Sequence, residues 1–227
     1  MQPKAKKLIR RKKWYESAQT VLLKEYAERY GGIYIPASFK HWKYTGEHVK
    51  IVSESGHETL YVSVTSGSSN NSSNNSDTIR LKYVYRPRRK LQFVMVPKKG
   101  LLLNVMHRDM KPVTMPNSTM SKLFKGVSTH PSLLRTVLKY ESLTEELMMY
   151  FHASIKLQIK EGKATLCWTE NYKKPDAEAV NERVAALRYI IKALDEQNVI
   201  YDMAYHKDNP ADNGDKTVRV IFMRIIE

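Results

Sequence analysis

The sequence has a single cysteine and no long apolar run, and these two features limit the class of protein that it can encode. With only Cys167 among 227 residues, no intramolecular disulfide framework can form, which favours a reducing compartment. No apolar segment approaches the roughly 18–20 residues that cross a bilayer as a helix. The basic first residues are not followed by the apolar region of a secretory signal. We therefore expect a cytoplasmic protein, which can still be peripheral to a membrane.

Signatures of the common enzyme classes are also missing. The sequence contains no phosphate-binding loop, no dinucleotide-binding glycine fingerprint and no nucleophile elbow. His107-Arg108-Asp109 matches the first letters of a kinase catalytic loop, but Thr114 stands where that loop needs a metal-binding asparagine. Cys167 lies in an apolar strand with no apparent activating base, so it is predicted to be a small buried hydrophobe. The sequence therefore predicts a protein that is not an enzyme.

Metal-binding patterns are absent from the sequence as well. None of the seven histidines pairs with another histidine or the cysteine at the spacing of metal ligands. The loop 207–216 offers Asp208, Asp212 and Asp215, which are residues of the type that binds calcium. Arg219, however, occupies the position at which a calcium loop starting from Asp208 needs a bidentate glutamate. We therefore expect neither a metal nor another cofactor.

Positive charge is concentrated in two stretches of the chain. The net charge is +15. Residues 1–13 carry seven basic residues and no acid, and residues 78–111 carry ten basic residues against one acid, which leaves the rest of the chain at −1. Such clusters build a local positive potential and favour an anionic partner. The candidate anion-binding residues are Lys4, Lys6, Lys7, Arg10, Arg11, Lys12, Lys13, Arg86, Arg88, Arg89 and Lys90.

The first half of the sequence predicts one helix followed by an antiparallel meander. Apolar residues at three- and four-residue spacing predict a helix over 14–30, which Gly31-Gly32 ends. A short strand follows at 33–36. Alternating apolar residues then predict strands at 49–54, 59–65, 78–85 and 91–96.

Two features of this meander bear on function. In the strand 78–85, Tyr83 and Tyr85 are predicted to face the core, while Arg80 and Lys82 face solvent. The segment 66–77 consists largely of serine and asparagine, so it is predicted to be a disordered loop. A further strand is predicted at 101–105, and 107–120 is predicted to be a connection.

The second half predicts helices, a hairpin, a long helix and two closing strands. Residues 130–150 are predicted to be helical in two pieces, with Pro131 in the first turn and a capping box at 142–145. A hairpin is predicted from 154–159 and 164–169, and closing strands at 199–206 and 217–226. Asp176 is predicted to cap a helix over 177–197, whose apolar stripe is Val180, Val184, Leu187, Ile191 and Leu194.

The order of these elements predicts an α+β fold in which a helix layer covers antiparallel strands. The change of character near residue 120 suggests two lobes. In that division, 1–13 is a basic tail, 14–120 is the helix with the meander, and 121–227 is the α+β lobe.

Short motifs along the chain resemble those of one family. Tyr30-Gly31-Gly32 is followed by Ile33-Tyr34-Ile35-Pro36, and Asp77-Thr78-Ile79-Arg80 opens a basic strand. The segment 124–131 then leads into Leu133-Leu134 and the hairpin and helix of 155–194. Together they resemble an uncharacterised bacterial family built on a domain of unknown function, whose members often carry adjacent membrane-spanning helices. The resemblance implies a membrane-adjacent role and no known chemistry.

The charge pattern therefore predicts a non-enzymatic binding or scaffold domain that contacts an anionic surface, such as the cytoplasmic face of a membrane. The basic segment 1–13 beside Trp14-Tyr15 is typical of attachment to anionic lipid. A nucleic-acid-binding protein is the alternative, because the same cations would contact phosphates. The core orientation predicted for Tyr83 and Tyr85 weakens that alternative, since base stacking needs aromatic rings on the basic face. A protein partner is compatible with a scaffold role, and an unrecognised enzyme ranks third.

Overall fold

The computed structural model describes residues 16–53, 58–67, 76–99 and 109–200, without the side chains of Glu141 and Ser142. The helices are α1 (Ala18–Tyr30), α2 (Ser118–Leu123), α3 (Pro131–Leu138), α4 (Glu141–Met149) and α5 (Ala177–Glu196). The strands are β1 (Ile33–Ile35), β2 (Ser38–Lys40), β3 (Lys43–Thr45), β4 (His48–Val52), β5 (Thr59–Ser66), β6 (Asp77–Tyr85), β7 (Phe93–Pro97), β8 (Lys111–Pro112), β9 (Phe124–Ser128), β10 (Ser154–Lys160) and β11 (Lys163–Tyr172).

Nine of these strands form one sheet in the order β1-β4-β5-β6-β11-β10-β7-β9-β8. Every neighbouring pair is antiparallel, and β2 and β3 form a separate hairpin. The predicted α+β class with an antiparallel sheet is confirmed. The sheet also joins both sides of residue 120, because β6 pairs with β11 and β7 pairs with β10. The two predicted lobes thus share one sheet and one continuous hydrophobic core.

Helices cover one face of this sheet. Helix α5 contacts β6, helix α1 contacts β4 and β5, and the two helices contact each other. Burial of each large apolar side chain in such a layer stabilises the fold by roughly 1.5–3 kcal/mol. The predicted stripe of α5 is buried except at Ile191, which is partly exposed, while its neighbour Ile190 is buried.

Helix α1 is bounded by a serine and a glycine. The Ser17 hydroxyl accepts a hydrogen bond from the backbone N–H of Thr20 at 3.0 Å, which is a typical N-cap. The helix therefore begins at Ala18, four residues later than predicted. Gly31, with φ of 83°, ends it as predicted, since a left-handed conformation suits glycine.

Of the other predicted helix starts, two are confirmed and one is wrong. Asp176 caps α5 as predicted, accepting a hydrogen bond from a first-turn N–H at 2.8 Å. Pro131 begins α3 as predicted. The capping box at 142–145 is wrong, because α4 already begins at Glu141 after Tyr140. The Thr144 hydroxyl instead donates to the carbonyl of Leu138 at 2.8 Å.

The strands also differ from the prediction in places. β5 and β6 pair as far as Ser66 and Asp77, so the predicted loop 66–77 is shorter than expected. β7 begins at Phe93, two residues later than predicted, although Leu91 is buried. The hairpin β2–β3, the strand β8 and the helix α2 were not predicted. Their short length gives almost no periodicity to detect.

Several predictions lie outside the described residues. These are the tail 1–13, the strand 101–105, the second closing strand 217–226 and residues 201–206 of the first closing strand. Of the first closing strand, Val199 and Ile200 are described and buried, and Ile200 forms an isolated antiparallel bridge with Pro87.

Candidate anion-binding surfaces

The face of the sheet opposite the helices carries a row of five side chains across five strands, and three of the five are lysines. Lys50 of β4 lies opposite Tyr61 of β5, which lies opposite Lys82 of β6. Lys82 lies opposite Cys167 of β11, which lies opposite Lys156 of β10. The row follows from strand alternation, because the residues before and after each of these point into the core. We call this side of the sheet the open face.

The open face combines basic side chains with an apolar patch of Val94, Val96 and Val127 on β7 and β9. The outward positions of β1, β4–β7 and β9–β11 contain no aspartate or glutamate. Within the described residues, none of the cations at these positions forms an ion pair with a carboxylate. Such a set of unneutralised cations produces a positive potential around these basic residues. Its basic residues are His48, Lys50, Arg80, Lys82, Lys125, Lys156, Lys160 and Lys163.

Cys167 lies in the middle of this row and is partly exposed, not fully buried as predicted. Burial raises the pKa of its thiol, while the nearby cations Lys82, Arg80 and Lys156 oppose that rise. The thiol therefore stays protonated near neutral pH, which does not suit a nucleophile.

Tyr61 places an aromatic ring on the open face. The Nζ atom of Lys82 lies 5.6 Å from the centroid of that ring, and the ring of His48 lies 5.6 Å from it on the other strand. Tyr83 and Tyr85 are buried, as predicted. Tyr61 was not predicted as a residue of this face, although the alternation of β5 already indicates its outward orientation.

The β2–β3 hairpin exposes three aromatic side chains. Trp42 is 93% exposed, Tyr44 is 69% exposed and Phe39 is 64% exposed. The rings of Phe39 and Trp42 meet edge to face, with their centroids 6.3 Å apart. The exposed residues Lys40 and Lys43 flank the turn between the strands. The hairpin thus combines apolar rings and positive charge on one projection.

The turn of this hairpin holds two residues in the left-handed region. His41 has φ of 48° and Trp42 has φ of 61°. Two consecutive positive φ values are the mark of a type I′ turn, in which asparagine and glycine are the usual residues. Side chains larger than these cost roughly 1–3 kcal/mol each in such conformations. The chain therefore presents Trp42 at some cost in backbone energy.

The base of the hairpin is tied to the rest of the fold through Glu47. Its carboxylate accepts hydrogen bonds from the Tyr34 hydroxyl at 2.7 Å and from Thr20 Oγ1 at 2.8 Å. Burial raises the pKa of Tyr34 to about 12, and the hydrogen bond to Glu47 adds to the rise. Because Tyr34 belongs to β1 and Thr20 to α1, Glu47 joins the hairpin to both elements.

The predicted anion-binding residues separate into several groups. The seven in residues 1–13 lie outside the described part of the chain. Arg86 is exposed, and Arg88 donates through Nη1 to Asn198 Oδ1 at 3.1 Å, close to the end of α5. Arg89 and Lys90 line a cleft of about 600 Å³ together with Lys111. The structure thus brings two of the four described candidates together.

A buried ion pair lies on the helix side of the sheet. Arg183 Nε lies 3.2 Å from Glu170 Oε2, and both residues are 6% exposed. Trp168 Nε1 donates to the same carboxylate at 3.3 Å. The guanidinium also lies 4.4 Å from the ring centroid of Tyr172 and 4.8 Å from that of Tyr150. Since these groups satisfy one another away from solvent, the cluster supports the fold and does not form a binding surface.

The other residues considered as metal ligands or catalytic groups form no further site within the described residues. There, no group of three or more histidine, cysteine, aspartate or glutamate side chains could hold a metal ion. Asp109 is exposed, while residues 107–108 and the loop 207–216 fall outside the description. Over the same part of the chain, no helix has the length and apolar character needed to cross a membrane.

Comparison with protein-family models, with curated proteins and with solved structures finds no match to this chain. The resemblance to the uncharacterised bacterial family therefore stays a prediction.

Proposed function

We propose that this protein is a non-enzymatic binding domain that attaches peripherally to membranes containing anionic lipid. The observation that carries the proposal is the β2–β3 hairpin, a fixed projection that exposes Phe39, Trp42 and Tyr44 beside two lysines. Aromatic rings of this kind favour the boundary between headgroups and acyl chains. Lysine and arginine side chains near an anionic surface contribute about 1 kcal/mol each. The hairpin therefore has the composition of a membrane-interface anchor.

The open face adds attraction to the same kind of surface. Strand β1 leads directly into the hairpin, and its Ile33 is 67% exposed on the open face opposite Lys50. An exposed apolar side chain thus lies on the basic side of the sheet, in the strand that precedes the hairpin. The cations there act over about 10 Å at 0.1 M salt, so they would draw the protein toward anionic lipid before the rings insert.

Vesicle sedimentation tests the proposal. The full chain should sediment with phosphatidylcholine vesicles that contain phosphatidylglycerol and stay in solution with phosphatidylcholine alone. The variant Phe39→Ser/Trp42→Ser/Tyr44→Ser should lose most of this binding, roughly tenfold or more, because each buried aromatic contributes over 1 kcal/mol. The matched control is Met149→Ser/Phe151→Ser, which removes exposed apolar side chains elsewhere and should bind normally. Equal binding by the hairpin variant and the wild type would overturn the proposal.

Salt dependence gives a second readout of the same proposal. Lys40→Gln/Lys43→Gln should weaken binding to the anionic vesicles and reduce its dependence on salt, since two interfacial charges are removed. The neutral vesicles provide the control, because neither the wild type nor this variant should sediment with them. Loss of affinity that is the same at low and high salt would contradict an electrostatic role for the two lysines.

Binding of single-stranded nucleic acid is a second candidate, and Tyr61 is the observation that favours it. An aromatic ring among cations on an open sheet face suits a stacked base, which contributes about 1–3 kcal/mol. Under this candidate, an oligonucleotide binds with a steep salt slope, Tyr61→Ala weakens binding and the hairpin variant does not. That pattern, without binding to anionic vesicles, would replace the membrane proposal.

A further inference from the structure

The cleft beside α3 has a shape set by the main chain. Its walls are the connection after β6, the strand β8 and the junction between β9 and α3. Thr129 joins two of these walls, because its Oγ1 accepts from the Gln92 N–H at 3.0 Å and its own N–H donates to the Gln92 carbonyl at 3.0 Å. The same hydroxyl donates to the carbonyl of Lys90 at 3.4 Å. The basic residues of the cleft therefore project from fixed backbone.

The cleft is lined by three cations and no carboxylate. Arg89, Lys90 and Lys111 come from two separate walls, and all three are exposed. Among the described residues, none of them forms an ion pair. Like charges held in one concave space repel one another, and a bound anion would offset that repulsion.

Further hydrogen-bond donors line the same space. His130 and Ser132 are exposed there, and His130 Nδ1 lies 3.0 Å from Thr129 Oγ1. The α3 N-cap, His130, makes no side-chain hydrogen bond to the first turn. The positive end of α3 therefore adds to the field of the three cations.

We propose that this cleft binds the phosphate monoester group of a ligand. A phosphate monoester carries between one and two negative charges at neutral pH and offers three acceptor oxygens, which suits several cations together with hydroxyl donors. The guanidinium of Arg89 can bind such a group in a bidentate manner. The volume of about 600 Å³ exceeds what a phosphate alone needs, and the partly exposed Pro131 and Leu133 provide an apolar wall for its organic part.

This site is separate from the hairpin. β9 lies seven strand positions from β1 in the sheet, which corresponds to roughly 30 Å at the usual strand spacing of about 4.8 Å. The cleft also lies at the opposite ends of the strands, near Gln92 and Thr129, whereas the hairpin follows Ile35. The inference therefore stands whether or not the hairpin binds membranes.

Titration calorimetry of the full chain with phenyl phosphate tests the site. The variant Arg89→Gln/Lys111→Gln should weaken binding roughly tenfold or more, because two charge-assisted contacts are lost. The matched control is Lys98→Gln/Lys99→Gln, which removes the same charge from the turn after β7 and should bind within about twofold of the wild type. Circular dichroism should show that both variants are folded. No binding by the wild type, or equal losses in the two variants, would overturn the proposal.

Vesicles distinguish a lipid headgroup from a soluble ligand as the source of the phosphate. Phosphatidate carries a phosphate monoester, whereas phosphatidylglycerol carries a diester, and both are compared in phosphatidylcholine at equal surface charge. A preference for phosphatidate that is lost in Arg89→Gln/Lys111→Gln identifies a lipid ligand. Binding of phenyl phosphate with no such preference identifies a soluble phosphate monoester.

Discussion

The two faces of the sheet are built from the same strands but carry opposite kinds of residue. In β6, Leu81 and Tyr83 are at most 3% exposed, while Arg80 and Lys82 between and beside them are exposed. Alternate residues of a single strand thus belong to the core and to the exposed face. Substitutions at adjacent positions should therefore affect different properties of the protein.

The charged residues on the two faces of the sheet also differ. On the helix side, the buried charges of Glu170 and Arg183 are paired with each other. On the open face, cations such as Lys50 and Lys156 form no ion pair with a described carboxylate. A buried charge must be compensated for the chain to fold, whereas an exposed one need not be. The fold therefore places no requirement for a paired carboxylate on the open-face cations.

Removing one partner of the buried pair should have the largest effect. Glu170→Ala removes the buried carboxylate that pairs with Arg183 and leaves its guanidinium with the exposed Glu182 alone, which should lower the free energy of unfolding by roughly 3–5 kcal/mol. Denaturant unfolding measures the loss. The matched control is Glu182→Ala, because Glu182 contacts the same guanidinium from an exposed position and should cost at most about 1 kcal/mol. Equal costs for the two variants would contradict a special role for the buried pair.

The second largest effect is expected from truncating a side chain on the core side of the sheet. Leu187 is fully buried between α5 and the sheet, so Leu187→Ala should lower the free energy of unfolding by roughly 2–5 kcal/mol. Glu196→Ala, on an exposed position of the same helix, should change it by less than about 0.5 kcal/mol. A cost for Leu187→Ala as small as that of its control would mean that α5 does not cover the sheet.

High pH should lower the free energy of unfolding through the tyrosines buried on the helix-covered side of the sheet. Burial raises the pKa of Tyr26 to about 12, above its unfolded value of about 10. The protonated phenol therefore contributes stability that is complete below pH 10 and is lost as the pH rises toward 12. The loss from this one group should be roughly 2–3 kcal/mol.

Unfolding experiments at a series of pH values measure this effect. Burial raises the pKa values of Tyr83 and Tyr85 in the same direction, so the wild type should lose stability steeply in alkali. Tyr26→Phe should show a shallower fall than the wild type, because one titrating phenol is gone. An identical pH dependence in the two proteins would contradict the assignment to Tyr26.

On the open face, the expected effect on stability is the smallest. Lys82→Gln should change the free energy of unfolding by less than about 0.5 kcal/mol. It should still lower affinity for anionic vesicles by several-fold at low salt, in line with about 1 kcal/mol for one interfacial charge. Leu81→Ala on the adjacent position should do the reverse, destabilising the fold with no direct effect on binding. A large loss of stability in Lys82→Gln would remove the distinction between the two faces.

Much of the fold could be predicted from the sequence because its elements are long and regular. The alternation in β6 and the stripe of α5 both identify a buried side, and both sides are buried as expected. The pairing of β6 with β11 could not be predicted, since nothing local to either strand specifies a partner so distant in the chain. That pairing is also why strands on both sides of residue 120 belong to one sheet.

The candidate surfaces were only partly predictable. Arg80 and Lys82 were expected on a solvated face, but the contribution of Lys50 and Lys156 depends on strand order, which the sequence does not reveal. The hairpin was missed because its strands have three residues each and its turn lacks the asparagine and glycine typical of a type I′ turn. Residues 39–44 show no apolar alternation that would predict a strand. Their three aromatic residues were the available indication of an exposed hairpin.

The most direct test of the membrane proposal is the environment of Trp42 when the protein is mixed with vesicles. The difference in fluorescence between the wild type and Trp42→Phe isolates this residue from Trp14 and from Trp168, which is buried in the core. On vesicles containing phosphatidylglycerol, the emission of Trp42 should shift to the blue and be quenched by brominated acyl chains. Vesicle-bound protein in which Trp42 keeps a water-like emission and remains accessible to an aqueous quencher would contradict the account.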